Sequence, residues 1–206
     1  MKKNIIIIAS MLTCVATIIA CILISNPRRV TYNTVAAERI VLAENFETLE
    51  EESDLIVRVR VLEGKENVLV EAPGNQGGVL YGYTLTKLDV LDVLKGNPVS
   101  EPISITEEYY TTKDMGGTII WTQGNYLPAK EGGEYIFFLK AYEPGSKYEG
   151  LYFPVDLERG KYVTELPTLY SAESNNISAK VLELKSDENI MEYWKWYEQV
   201  AEKYMK

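Results

Sequence analysis

Residues 79–94 read VLYGYTLTKLDVLDVL, and the architecture of the chain turns on them. Thr84, Thr86, Leu88 and Val90 fall on one side, with Tyr83, Leu85, Lys87 and Asp89 on the other. That alternation is the period-two signature of a strand. The stretch far exceeds the usual ~5–6 residues, so it should bend or carry a bulge, with Gly82 as the expected point.

Working outward toward the N-terminus, Leu55, Val57, Val59 and Val61 alternate with Ile56, Arg58, Arg60 and Leu62, a second strand that Gly64 ends. Residues 64–78 form a loop with a short strand at Val68-Leu69-Val70. Asn45 is the expected N-cap of a short helix that starts at Phe46. Residues 26–44 read as a stalk with weak helical character from Val35 to Ala43. Toward the C-terminus, Lys95-Gly96-Asn97-Pro98 is a turn. Strands follow at Ile103–Tyr110 and Thr118–Gln123, and EYIFFLKAY at 134–142 is the most apolar of them. Leu151–Val155 and Lys161–Thr164 read as a hairpin around Glu158-Arg159-Gly160. The last element is a helix whose apolar stripe is Ile190, Trp194, Tyr197, Ala201 and Tyr204, capped by Ser186 or Asp187.

A short helix, five to seven strands with tight turns, and a closing amphipathic helix predict a mainly β domain over 45–206, a small closed or nearly closed barrel. Closure also removes the exposed edges that strands this apolar would present. The body is long enough to bury a core without disulfides and is expected to be monomeric.

The first 25 residues have a different character. Lys2 and Lys3 precede an uncharged run from Asn4 to Ser25, and Ile5–Ile24 is long enough to span a bilayer as a helix. Three readings stay open: an uncleaved transmembrane anchor, a lipoprotein signal with lipidation at Cys21, and a cleaved secretion signal. Ile18-Ile19-Ala20-Cys21 has the small residue before cysteine that lipidation needs, although Ile22, Leu23 and Ile24 stay apolar beyond it. Every reading places the body on the extracytoplasmic side of the cell membrane.

Composition excludes much chemistry. The chain of 206 residues has no histidine, and its two cysteines, Cys14 and Cys21, both lie in the apolar run. Ser-His-Asp and Cys-His catalysis and Cys- or His-ligated zinc are therefore not available to the body. From residue 30 on, 17 basic against 30 acidic residues leave a charge of −13, which disfavours nucleic acid as a partner. No nucleotide, P-loop, nucleophile-elbow or calcium-loop pattern occurs, and no cofactor is implied. Carboxylate pairs remain, with Asp156 and Glu158 on one face if that segment is extended, and Glu107 beside Glu108. The first pair is the hydrolase candidate, and either is a calcium candidate.

The strings SDLIVRVRV, YTLTKLDVLDVLKGNP, LPAKEGGEYIFFLKAY and YFPVDLERGKY resemble a group of membrane-anchored or lipoprotein-like extracytoplasmic proteins of Gram-positive bacteria. The resemblance covers roughly residues 45–165. It implies an OB-like barrel similar to that of netrin-like and tissue-inhibitor-of-metalloproteinase modules. Those animal modules rely on disulfides and, in the inhibitors, on an N-terminal cysteine that this body lacks, so their inhibitory mechanism does not carry over.

Fifteen tyrosines and three tryptophans make aromatic recognition the leading candidate for function. The densest cluster near loops is Tyr109, Tyr110, Trp121 and Tyr126. The expectation is a non-enzymatic, membrane-tethered binding module for an envelope protein or cell-wall polymer. The alternative is a carboxylate-dependent hydrolase of wall polysaccharide, which would need two facing carboxyl groups, at least one with a raised pKa.

Overall fold

The computed structural model describes residues 29–35, 43–74, 78–98, 100–114, 116–166 and 178–206. The expected anchor at 1–25, with Cys14 and Cys21, lies outside these residues, as does much of the segment 26–44. Among the described residues no helix is long and apolar enough to cross a membrane.

The long alternating stretch is a single strand, β4 (Val79–Lys95), and it organises the rest. Its second half pairs antiparallel with β2 (Leu55–Val61), and its middle with β5 (Ile103–Glu107). β2 pairs on its other side with β8 (Glu134–Ala141). The ring closes through β9 (Tyr152–Pro154), which runs parallel to β5 and antiparallel to β8. The result is a closed barrel of five strands in the order β2-β4-β5-β9-β8 and back to β2. Two register shifts between β2 and β4 let the long strand curve around it. Gly82 marks no bulge there, since it pairs in register with Leu69 of β3 (Glu66–Glu71). Its missing side chain serves a different purpose, because a Cβ would sit 2.6 Å from Cγ of Tyr110.

Other expectations change with closure. Ile103–Tyr110 is not one strand but two, broken at Glu108. β5 stays in the barrel, while β6 (Tyr109–Asp114) leaves to pair with β7 (Gly117–Thr122). β1 (Arg29–Thr34), inside the segment read as a stalk, joins β7 in parallel and completes a three-stranded sheet. β9 and β10 (Lys161–Val163) do not form a hairpin. Both lie along the same edge of β8, β9 at its C-terminal half and β10 at its N-terminal half. A left-handed pair, Asp156 (φ 56°) and Leu157 (φ 52°), and a 3-10 helix at Leu157–Gly160 make that switch.

Cross-strand partners share a face, which separates inside from outside. Leu55, Val57, Val59 and Val61 of β2 meet Leu88, Ile103, Ile105, Phe137 and Leu139 in the interior, all at 0–1% exposure. Phe138 of β8 and Tyr162 of β10 point outward and are covered by helices. α1 (Phe46–Glu52) starts where expected, with the Asn45 side chain accepting from Thr48 N at 2.8 Å, and sets Phe46 edge-on to Phe138. α2 (Ile190–Tyr204) stacks Tyr193 on Tyr162, and its Tyr193 and Tyr197 hydroxyls donate to the Lys161 and Val163 carbonyls. Its buried face is wider than the predicted stripe, taking in Tyr193, Trp196 and Val200. Neither expected cap serves: the helix begins after Asn189, because Asp187 accepts from Ala179 N and Ser186 is tied to Asn125.

Candidate functional site

The four aromatics singled out in the sequence divide into two pairs. Tyr109 and Tyr126 are buried, at 6% and 1% exposure, against one end of the barrel interior. Tyr110 and Trp121 are half-buried cross-strand partners, with ring centroids 6.1 Å apart and planes within 14°. Tyr110 lies on Gly82, and Trp121 donates from Nε1 to Thr112 Oγ1 at 2.8 Å. Adjacent residues of a strand face opposite ways, so Tyr109 and Tyr110 do not act together. This second pair joins β4 to the small sheet.

Tyr109 and Tyr126 belong to a polar plug at the barrel end. The fully buried Glu107 carboxylate accepts from Lys65 Nζ at 2.7 Å, Tyr126 Oη at 2.6 Å, Ala129 N at 2.8 Å and Thr86 Oγ1. Burial alone would raise this carboxyl, but Lys65 foremost, with Thr86 and Tyr126, holds it below its ordinary value. Lys161 is equally buried. It donates to Leu127 O at 2.5 Å and lies over the rings of Tyr126 and Tyr135, and burial lowers its ammonium to about 8. Tyr135 Oη donates to Glu183 and accepts from Lys130 N. Together these groups strap residues 126–130 across the barrel mouth. Glu107, Tyr126 and Lys161 are closed to solvent, and each of the two charges among them is matched by partners that a dry interior demands.

The other carboxylate candidates are also placed. Asp156 and Glu158 lie in the left-handed turn and 3-10 helix rather than on an extended face; both are buried, and Asp156 pairs with Arg159 at 3.3 Å. Glu107 points inward and Glu108 is exposed, so that pair is divided as well. Among the described residues no three His, Cys, Asp or Glu side chains gather to hold a metal ion.

The exposed aromatic surface lies elsewhere, on the outside of β4, β5 and β9. Tyr81 and Tyr83 project outward from β4 at alternate positions. The loop between β8 and β9 folds over them. Tyr83 meets Tyr148 edge-on at 5.5 Å, Tyr148 meets Tyr142 at 4.8 Å, and Tyr142 meets Phe153 at 4.8 Å. The Tyr142 hydroxyl is fixed to Thr106 Oγ1 of β5 at 2.7 Å. Lys147 crosses the loop above these rings, donating to Tyr81 Oη at 3.1 Å. Tyr148 first and Tyr81 second hold its ammonium above the ordinary lysine value, and Lys147 in turn lowers the Tyr81 hydroxyl. Four of the rings are half-buried and Tyr81 is exposed. The exposed Leu69 pairs with Gly82 and so lies on the opposite face of the β3–β4 ribbon; the surface is the ring cluster itself. Contiguous apolar surface of this kind marks a contact site.

Sequence reading missed this cluster. Tyr83 is on the outer face of the long strand, but Tyr142, Tyr148 and Phe153 sit about 60–70 residues later, at the end of the strand 134–142, in the turn after it and in the expected hairpin. The signal that could have found it is the aromatic run on either side of the Pro144-Gly145 turn. Comparison with known proteins gives no family model that matches the chain, and no curated protein matches it significantly.

Proposed function

We propose that this protein is a non-enzymatic, membrane-tethered, extracytoplasmic binding module, and that its ligand is held on the outer face of β4, β5 and β9. The observation that carries the reading is the chain of contacting rings Tyr83–Tyr148–Tyr142–Phe153 with Tyr81 exposed beside it. The strand order supports an OB-like assignment. Counting barrel strands alone, it runs 1-2-3-5-4-1 with the third and fifth parallel. The aromatic surface then covers the second and third strands and the loop before the fifth, where such barrels bind extended oligomers. Kinship with the netrin-like modules and with Gram-positive extracytoplasmic proteins rests on the sequence strings quoted above. Tethering rests on the uncharged run 4–25, with an uncleaved helix or lipid at Cys21 as its two forms.

The hydrolase alternative needs a carboxyl group held protonated near neutral pH. Glu107 is displaced the opposite way and sealed in the barrel, which weighs against it as a general acid.

The test has two parts. Protease added to intact protoplasts should remove the body, and recovery of full-length protein in the cytosol would refute tethering. A size shift on globomycin treatment would select lipidation at Cys21. For the surface, ring resonances of Tyr81, Tyr83, Tyr142 and Tyr148 should shift on addition of solubilised wall polymer or envelope protein, while those of Tyr193 and Tyr197 stay fixed. Release of new reducing ends from the polymer would instead favour the hydrolase.

A further inference from the structure

Lys147 sits on the aromatic surface in a way that indicates what the surface fits. Its ammonium lies 4.5 Å from the ring centroid of Tyr148 and donates to Tyr81 Oη at 3.1 Å, off the edge of that ring. At the first distance the negative face of a tyrosine ring attracts a cation. Elsewhere Glu50, Glu52, Glu107, Glu134, Glu183 and Glu192 each hold a lysine or arginine. Lys147 is held by the Tyr148 ring and the Tyr81 hydroxyl instead. The surroundings are acidic: Glu143 and Glu149 share its loop, and the charge on Glu108 bears on Tyr142. The body carries −13 from residue 30 on. The Tyr148 ring face and the wider field therefore both favour a cation at this place and disfavour an anion. Lys147 is itself exposed, on a turn closed by Ser146 N donating to Glu143 O, so it can swing away without opening the core.

We infer that the Tyr148 ring and the Tyr81 hydroxyl form a cation-binding seat, that Lys147 fills it in the free protein, and that a lysine-rich peptide segment of a partner displaces Lys147. The inference rests on the aromatic surface being the ligand site and adds the class of ligand.

The probe is a fluorescent 12-residue peptide of alternating lysine and glycine, titrated at low salt into the full-length chain in non-ionic detergent and followed by anisotropy. The same peptide with every lysine acetylated should bind at least tenfold more weakly. Tyr81→Phe keeps the ring but removes the hydroxyl acceptor, and should weaken binding about three- to tenfold. Lys147→Ala removes the internal competitor and should tighten binding by a similar factor. Lys113→Ala, on β6, makes the same change in net charge and should leave the affinity within twofold. A weaker complex with Lys147→Ala, an equal gain from Lys113→Ala, or equal binding of the acetylated peptide overturns the inference. Preference for a glutamate–glycine peptide, or for a neutral saccharide that shifts the Tyr81 and Tyr148 resonances, overturns it too, yet leaves the binding-module reading standing.

Discussion

Lys161 shows how much one buried side chain can impose. Glu107, Glu183, Lys65 and Lys130 surround it, and burial still dominates, lowering its ammonium to about 8. An unfolded lysine titrates near 10.4. Between those values the unfolded chain binds more protons than the folded one, so this group makes stability rise with pH across the window and fall away as pH returns toward 8. Lys161→Met fills similar volume without the charge. The native chain should gain about 1–2 kcal/mol relative to this variant between pH 8 and 9.5, read from urea unfolding. A constant difference between the two would show that Lys161 is not titrating in that window. The upper limit is set below 10 because the buried tyrosines, whose hydroxyls burial raises, begin to act in the opposite direction there. Gly82 makes a second demand. Its Cβ would strike the Tyr110 ring at 2.6 Å and the Val68 carbonyl oxygen at 2.9 Å. Gly82→Ala should cost about 1–3 kcal/mol, and part of that should be recovered in the double variant with Tyr110→Ala. Strict additivity of the two changes would remove the ring contact as the cause.

At the scale of elements, legibility followed locality. The long strand β4, the Asn45 cap and the C-terminal helix were readable because alternation, capping and helical spacing are written in neighbouring residues. The break at Glu108 was not, since Ile103 to Tyr110 alternates acceptably and only the pairing partners reveal two strands. The Asp156–Leu157 turn was equally hidden, because consecutive left-handed non-glycine residues are disfavoured and carry no sequence signature. Tyr109 and Tyr126 looked like surface aromatics near loops; the buried Glu107 that claims Tyr126 lies in another element. α2 carries the clearest prediction at this scale. It buries Tyr193, Trp194, Trp196, Tyr197 and Val200, and it is clamped by Arg159, which lies 4.9 Å from the Trp196 ring centroid and bonds Glu192 at 2.6 Å. A single large buried side chain is worth about 3–5 kcal/mol against a total of roughly 5–15. A chain ending at residue 189 should therefore lose its cooperative melt in near-ultraviolet dichroism. Retention of the full transition would show that the barrel stands without its helix.

For the molecule as a whole, closure and charge act together. The barrel is sealed by the β5–β9 and β8–β9 pairings, so no disulfide is needed to hold it and its melting should be indifferent to reductant. Its net charge makes the body repel itself. Raising salt from about 10 to 150 mM should therefore stabilise it by about 1 kcal/mol, or about 2–4 °C in Tm, despite weakening exposed pairs such as Lys203–Glu50. A lower Tm at the higher salt would mean that the surface ion pairs outweigh the repulsion. One further consequence comes from the two faces of β4. Thr84, Thr86 and Leu88 turn inward to the plug and core, while Tyr81, Tyr83 and Leu85 turn outward to the aromatic surface. Inheritance can then alter the second set without touching the first. A descendant could exchange its recognition alphabet at alternate positions of one strand and along one loop, and still fold by its ancestor's rules.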